Sequence, residues 1–189
     1  RVLFRSVSEC FGEALLRADK KGAVGYIGGS NNTLWNEDFY WAVGVRSNIT
    51  ANSTYSANNL GAYDKIFHTH GENHDVWATT ISAMMQGGNM AVEASSSSSK
   101  LYYWEIYHLM GDPSLKPYLG IPNTMTVNSA DAIVVGSTSF DVNCAPYAYV
   151  ALTYNNELIG ATFADANGNA TITFPPITIP GAYELAVSG

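Results

Sequence analysis

The apolar residues of this chain change period at Gly111-Asp112-Pro113-Ser114-Leu115, and that change limits the folds open to it. Ahead of the motif they recur at helical spacing, and behind it they alternate as in strands. The expected organisation is an α/β region at residues 1–117 followed by an all-β region at 118–189. Leu101, Trp104, Ile106, Leu109 and Met110 form the expected last helix of the first region. Gly111 would end it as the left-handed residue, and Pro113 would follow as the residue without an N–H.

Earlier in the first region, Cys10, Phe11, Ala14, Leu15 and Ala18 share one helical face, with Ser8 as the expected cap and Gly22 as the stop. Ala23 to Ile27 is a short apolar run of buried-strand type that enters the polar loop Gly28-Gly29-Ser30-Asn31-Asn32. Asn48 to Asn59 is almost all Asn, Ser, Thr, Ala and Tyr, with too little apolar surface to bury, and is expected to be an exposed loop. Val76 to Glu93 is expected to be helical, with Ile81, Met84 and Met85 inward and Gly87-Gly88 a weak point; the serine run Ser95 to Ser99 links it to the next helix.

In the second region Met125 and Val127, Phe140 and Val142, Val150 and Leu152, Ile172 and Phe174, and Tyr183, Leu185 and Val187 alternate. Turn signals stand at Asn155-Asn156, Asn167-Gly168 and Pro180-Gly181. That spacing is expected of a small sandwich of immunoglobulin-like architecture. The antibody hallmark is missing, because Cys144 stands alone there and all four Trp precede the motif.

Charge narrows the partners. The formal net charge is −7, and beyond Leu115 one cation, Lys116, faces five acids. No basic stripe is available to displace counterions from phosphate, and no apolar run approaches the ~18 residues of a membrane span, so neither a nucleic-acid partner nor a membrane span is expected. Only two cysteines are present, which is no disulfide framework. The chain opens at Arg1 without Met or a signal segment and is expected to be a processed or truncated piece.

Several residues invite chemistry. His68-Thr69-His70-Gly71-Glu72-Asn73-His74 places three imidazoles and a carboxylate within seven residues, which suggests a metal-dependent hydrolase using His68, His70 and His74. The spacing departs by one residue from the His-x-His-x-Asp-His box of metallo-β-lactamases, and His108 is the one further His, inside the expected helix; a solvated polar loop is the alternative, and no metal is assigned. His70-Gly71 looks like the His-Gly pair of caspase-like peptidases, yet Cys10 precedes it, the reverse of their order. Cys10, near a helix start, has either a reactive thiol or a packing role. Trp35, at the end of a polar loop after a buried strand, either lines a pocket or caps the edge of the core. No phosphate loop, dinucleotide fingerprint or Gly-x-Ser-x-Gly elbow occurs, and no cofactor is expected.

Taken together, Cys10-Phe11-Gly12-Glu13-Ala14-Leu15-Leu16-Arg17-Ala18, the strand to Ile27, the Ser30 to Trp35 loop, Gly87-Gly88 and Gly111-Asp112-Pro113-Ser114-Leu115 resemble the gingipain-like cysteine peptidases in order and spacing. The resemblance implies the last part of a caspase-like α/β peptidase domain followed by an immunoglobulin-like domain, in a secreted or bacterial surface protein. It places the nucleophilic Cys and its His ahead of Arg1, so that this chain alone is inactive and its partners are the upstream half of the domain and a peptide or protein substrate. It also implies that Trp35 lines the pocket for the substrate side chain before the scissile bond. Asn36-Glu37-Asp38 departs from the family's residues after that Trp, so side-chain specificity does not transfer. The competing class is a non-catalytic surface or adhesion module derived from a peptidase.

Overall fold

A computed structural model describes residues 9–49, 53–121 and 123–189. The chain divides into two compact units, Arg1–Gly120 and Ile121–Gly189.

In the first unit, the described residues begin just ahead of helix α1, Phe11–Arg17. Ser8, the expected cap, lies outside the described residues; Cys10 occupies the N-cap, and its Sγ accepts the Glu13 N–H at 3.4 Å. The buried residue of α1 is Gly12, not the Phe11 face: a Cβ there would sit 2.7 Å from the Tyr26 ring, so only glycine lets the helix lie against that ring. Phe11 itself is 72% exposed. Strand β1, Gly25–Gly29, follows, then α2, Trp35–Val43, α3, Ala62–Phe67, a 3₁₀ turn at His74–Val76, and α4, Ile81–Glu93.

The expected long helix after the serine run is two elements, α5 at Lys100–Ile106 and β2 at Tyr107–Gly111. Leu109 and Met110 are therefore strand residues, because β2 pairs antiparallel with β1, from Gly25 opposite Gly111 to Gly29 opposite Tyr107. Gly111 closes a strand and not a helix; its φ of 122° and its close approach to the Val24 carbonyl exclude a side chain.

Gly87 and Gly88 do not interrupt α4. Both are buried, and a Cβ on Gly88 would lie 2.0 Å from the Trp41 ring, so the glycine allows α2 to approach α4 closely. Trp41 Nε1 then donates to Asn89 Oδ1, which is buried. The start of α4 explains the Gly-Asp-Pro-Ser-Leu motif. The carbonyls of Leu115 and Pro113 accept the N–H groups of Ile81 and Ser82, two of the donors a helix leaves unpaired at its start. Asp112 Oδ1 accepts from both the backbone and the hydroxyl of Ser114, and these bonds hold its carboxyl below the usual range. Leu115 packs on the cluster of Ala78, Ile81 and Met84.

Among the described residues the second unit holds two three-stranded antiparallel sheets. One is ordered β3 (Asn128–Ser129), β4 (Ser139–Asn143), β7 (Asn169–Thr173); the other is β6 (Glu157–Phe163), β5 (Tyr149–Tyr154), β8 (Glu184–Ser188). Val142 of β4, Val150 and Leu152 of β5 and Ala170 and Ile172 of β7 meet with Phe174 and Ile177 in one core between them. Asn155 and Asn156, at φ 51° and 64°, form the two-residue connection of β5 to β6, the backbone a tight hairpin requires. β6 escaped the alternation pattern, and Met125 and Val127 precede the short β3 without lying in a strand.

Candidate functional site

Trp35 is the first residue of α2 and is 81% exposed. Its position is fixed by its neighbours. The Leu34 N–H donates to the Tyr103 hydroxyl at 2.9 Å, and that hydroxyl lies 2.7 Å from Asp38 Oδ1 and 2.9 Å from the Leu34 carbonyl. Its one proton goes to one of the two acceptors, and the charged carboxylate is the stronger. Tyr107 donates to the same Asp38 oxygen at 2.9 Å, and Thr33 donates to Oδ2 at 2.5 Å. Burial and the Asp38 charge raise both phenols far above their ordinary pKa, although the Leu34 N–H pulls Tyr103 the other way; both stay neutral donors.

Tyr102 extends the same support by donating to the Asn32 carbonyl at 2.8 Å. Ser30 Oγ is 2.9 Å from His108 Nε2, which stands in β2 opposite Gly28. Stacked rings continue the support inward, Tyr103 on Tyr107 and Tyr107 on Trp41. The serine run closes the back of the site. Ser95 Oγ accepts from Ser97 N–H, Ser97 Oγ accepts from Ser99 N–H, and the Ser97 hydroxyl donates to Glu37 of α2. The loop from Ser30 to Trp35 is thus polar in sequence and rigidly tied in space. Asp38, Tyr103 and Tyr107 were missed from sequence, where nothing local pairs residues so far apart.

The histidine box folds differently from a three-imidazole centre. His68 closes α3 in a left-handed conformation and stacks on Trp77 at 3.8 Å, and His74 meets the edge of the same indole. His70 turns away, stacking on Tyr55 at 4.1 Å with its Nδ1 3.4 Å from Glu72 Oε1. His108 joins Ser30 instead. Among the described residues, the metal-capable side chains whose ligand atoms lie within 4.8 Å of one another are Asp64, His70 and Glu72. Burial raises the Glu72 pKa, but the backbone N–H groups of Glu72 and His70 and the nearby His70 ring outweigh that and leave it lowered.

Tyr55 belongs to the expected exposed loop, of which residues 50–52 lie outside the described residues. The rest of that loop is held by Arg46, which donates to the carbonyls of Thr54 and Asn59.

Both thiols are free. Cys10 is occupied as a helix-capping acceptor, and burial pushes the Cys144 thiol up.

The sequence model of Peptidase family C25 matches residues 3–118, and the chain belongs to that family, the gingipain-like cysteine peptidases. Lys-gingipain W83 of Porphyromonas gingivalis is 32% identical over 192 residues, which cover 98% of this chain and 11% of that protein. The chain thus spans about a tenth of the length of the curated relatives it matches. A solved structure described as "Structure of Protease" is 32% identical with a TM-score of 0.79, over 96% of this chain and 40% of its own. The Arg specific cysteine proteinase gingipain R shares the fold, with a TM-score of 0.73 at 20% identity over 97% of this chain and 39% of its own.

Proposed function

We propose that this chain is the C-terminal portion of a gingipain-like cysteine endopeptidase, secreted or held at a bacterial surface, and that it supplies a wall of the substrate pocket. On this reading residues 1–117 are the last part of a caspase-like domain and 118–189 an immunoglobulin-like sandwich. The observation that carries it is Trp35, an exposed indole set by the Tyr103 hydroxyl and Asp38 at the end of a tied loop in a C25 chain.

The nucleophilic thiol and its imidazole belong to sequence upstream of Arg1. The thiolate attacks a peptide carbonyl, the imidazole moves the proton, and backbone N–H groups hold the oxyanion. Two features favour an upstream partner. Among the described residues the β1–β2 sheet has two strands, few for a sheet without further packing, and Phe11 and Val24 expose 72% and 76% of their surface in the same unit. Cys10 caps α1 and the Cys144 thiol donates to the Ala145 carbonyl at 3.6 Å, roles that fit a nucleophile elsewhere.

The test compares this chain alone with the protein extended upstream. The extended protein cleaves peptides and is blocked by iodoacetamide, and the chain alone does not cleave. Trp35→Ala in the extended protein lowers kcat/KM on the order of tenfold, since an apolar wall contributes about 1–2 kcal/mol. Cleavage by the 189-residue chain alone, abolished by iodoacetamide, would overturn the reading.

A further inference from the structure

We propose that Asp64, His70 and Glu72 form a site for a zinc-class divalent cation, a clasp joining α3 to the loop that follows it. The proposal is independent of the peptidase reading.

The ligand atoms of the three residues lie within 4.8 Å of one another. The second observation is Glu72, whose side chain is only 1% exposed. Its Oε2 accepts the His70 N–H at 2.9 Å, and its Oε1 is buried with no hydrogen-bond donor. A buried carboxylate oxygen without a hydrogen bond is costly, and a metal ion is one of the few groups that satisfies it. The His70 ring is held by the Tyr55 stack and presents Nδ1 3.4 Å from that oxygen.

One imidazole nitrogen and two carboxylate oxygens suit Zn²⁺ and neighbouring transition ions. Ca²⁺ and Mg²⁺ take larger, all-oxygen sets. Three protein ligands leave a position for water. Arg46 Nη2, 4.0 Å from Asp64 Oδ2, offsets one of the two carboxylates, so the cluster keeps one net negative charge when His70 is neutral. Gly61 N–H donates to the same Asp64 oxygen at 3.3 Å and fixes that side chain at the start of α3. The alternative for the same atoms is an ion pair between protonated His70 and Glu72, which binds no metal.

The experiment is equilibrium dialysis of the intact protein against Zn²⁺, and separately Co²⁺, with metal analysis and visible absorption of the Co²⁺ form. The wild type retains one equivalent more than Glu72→Gln or His70→Asn, and their Zn²⁺ binding is weaker by at least tenfold. His74→Asn, whose ring meets Trp77 and is not one of the three ligands, binds as the wild type does. Zn²⁺ raises Tm in the wild type and in His74→Asn but not in the two site variants. His70 is half exposed, so its variant carries the test even if Glu72→Gln disturbs folding. Equal metal content in the wild type and His70→Asn, or no bound metal in the wild type, would overturn the site.

Discussion

The two units are built on different logic. In Ile121–Gly189 the core comes from alternation, with Val142 and Ile172 inward between polar neighbours and Val150 and Leu152 inward on either side of Ala151, and β5 and β6 joined by a two-residue turn. In Arg1–Gly120 the elements are short, and their positions depend on polar and aromatic contacts between distant residues, such as Tyr103 with Asp38 and Trp41 with Asn89. Local pattern specifies the first kind of structure. Side chains that meet only after folding specify the second. The chain carries a convenient reporter of this difference, because Trp35, Trp41, Trp77 and Trp104 all lie in the first unit. Tryptophan fluorescence therefore follows that unit, while circular dichroism follows both.

The largest expected effect is from Ile172→Ala. Ile172 is fully buried between the two sheets, and truncation leaves a cavity costing about 2–5 kcal/mol. Denaturant unfolding should show the loss by circular dichroism, with a smaller movement of the fluorescence midpoint. Equal movement of both would mean that the two units unfold as one, and the contrast between them would not extend to stability.

Gly88→Ala tests the other side. Its methyl group would overlap the Trp41 ring, itself stacked on Tyr107 and bonded to Asn89, so relief requires displacing a fixed group. A loss of about 1–3 kcal/mol is expected, read by the fluorescence transition. A helix-stabilising outcome, as expected for an exposed glycine, would show that α2 and α4 do not pack as described.

These two positions also mark what the sequence discloses. Ile172 is legible as core because its neighbours alternate, and the Asn155-Asn156 turn is legible because its chemistry is local. Gly87-Gly88 was misread as a weak point because the reason for glycine lies on another helix. Leu109 and Met110 fit a helical period, and pairing with Ile27 and Tyr26, far away in the chain, decided for a strand. Trp35 was visible as an aromatic closing a polar loop, whereas the tyrosines that hold it were not. In the histidine box, His70 stood out, but Asp64 is its neighbour only because α3 ends in a left-handed turn at His68.

Tyr103→Phe removes a single oxygen from the first unit and leaves its packing intact. The Leu34 N–H loses its acceptor and Asp38 loses one of its three donors. About 1–2 kcal/mol is expected in the fluorescence transition. The circular-dichroism amplitude of the strands should be unchanged. A neutral result would mean that aromatic stacking alone holds the Trp35 loop, and the contrast between polar and apolar construction would weaken.

The smallest effect is expected at the turn between β5 and β6, and it has the opposite sign. Asn155 and Asn156 both have positive φ, which Asn tolerates with some strain and Gly without it. Asn156→Gly removes the strain from the folded turn but adds freedom to the unfolded chain. The two terms nearly cancel, and a gain of about 0.3 kcal/mol is expected, seen in circular dichroism and not in fluorescence. A clear loss would mean that the Asn156 side chain does more than fit its backbone, and that this turn depends on contacts beyond its own two residues.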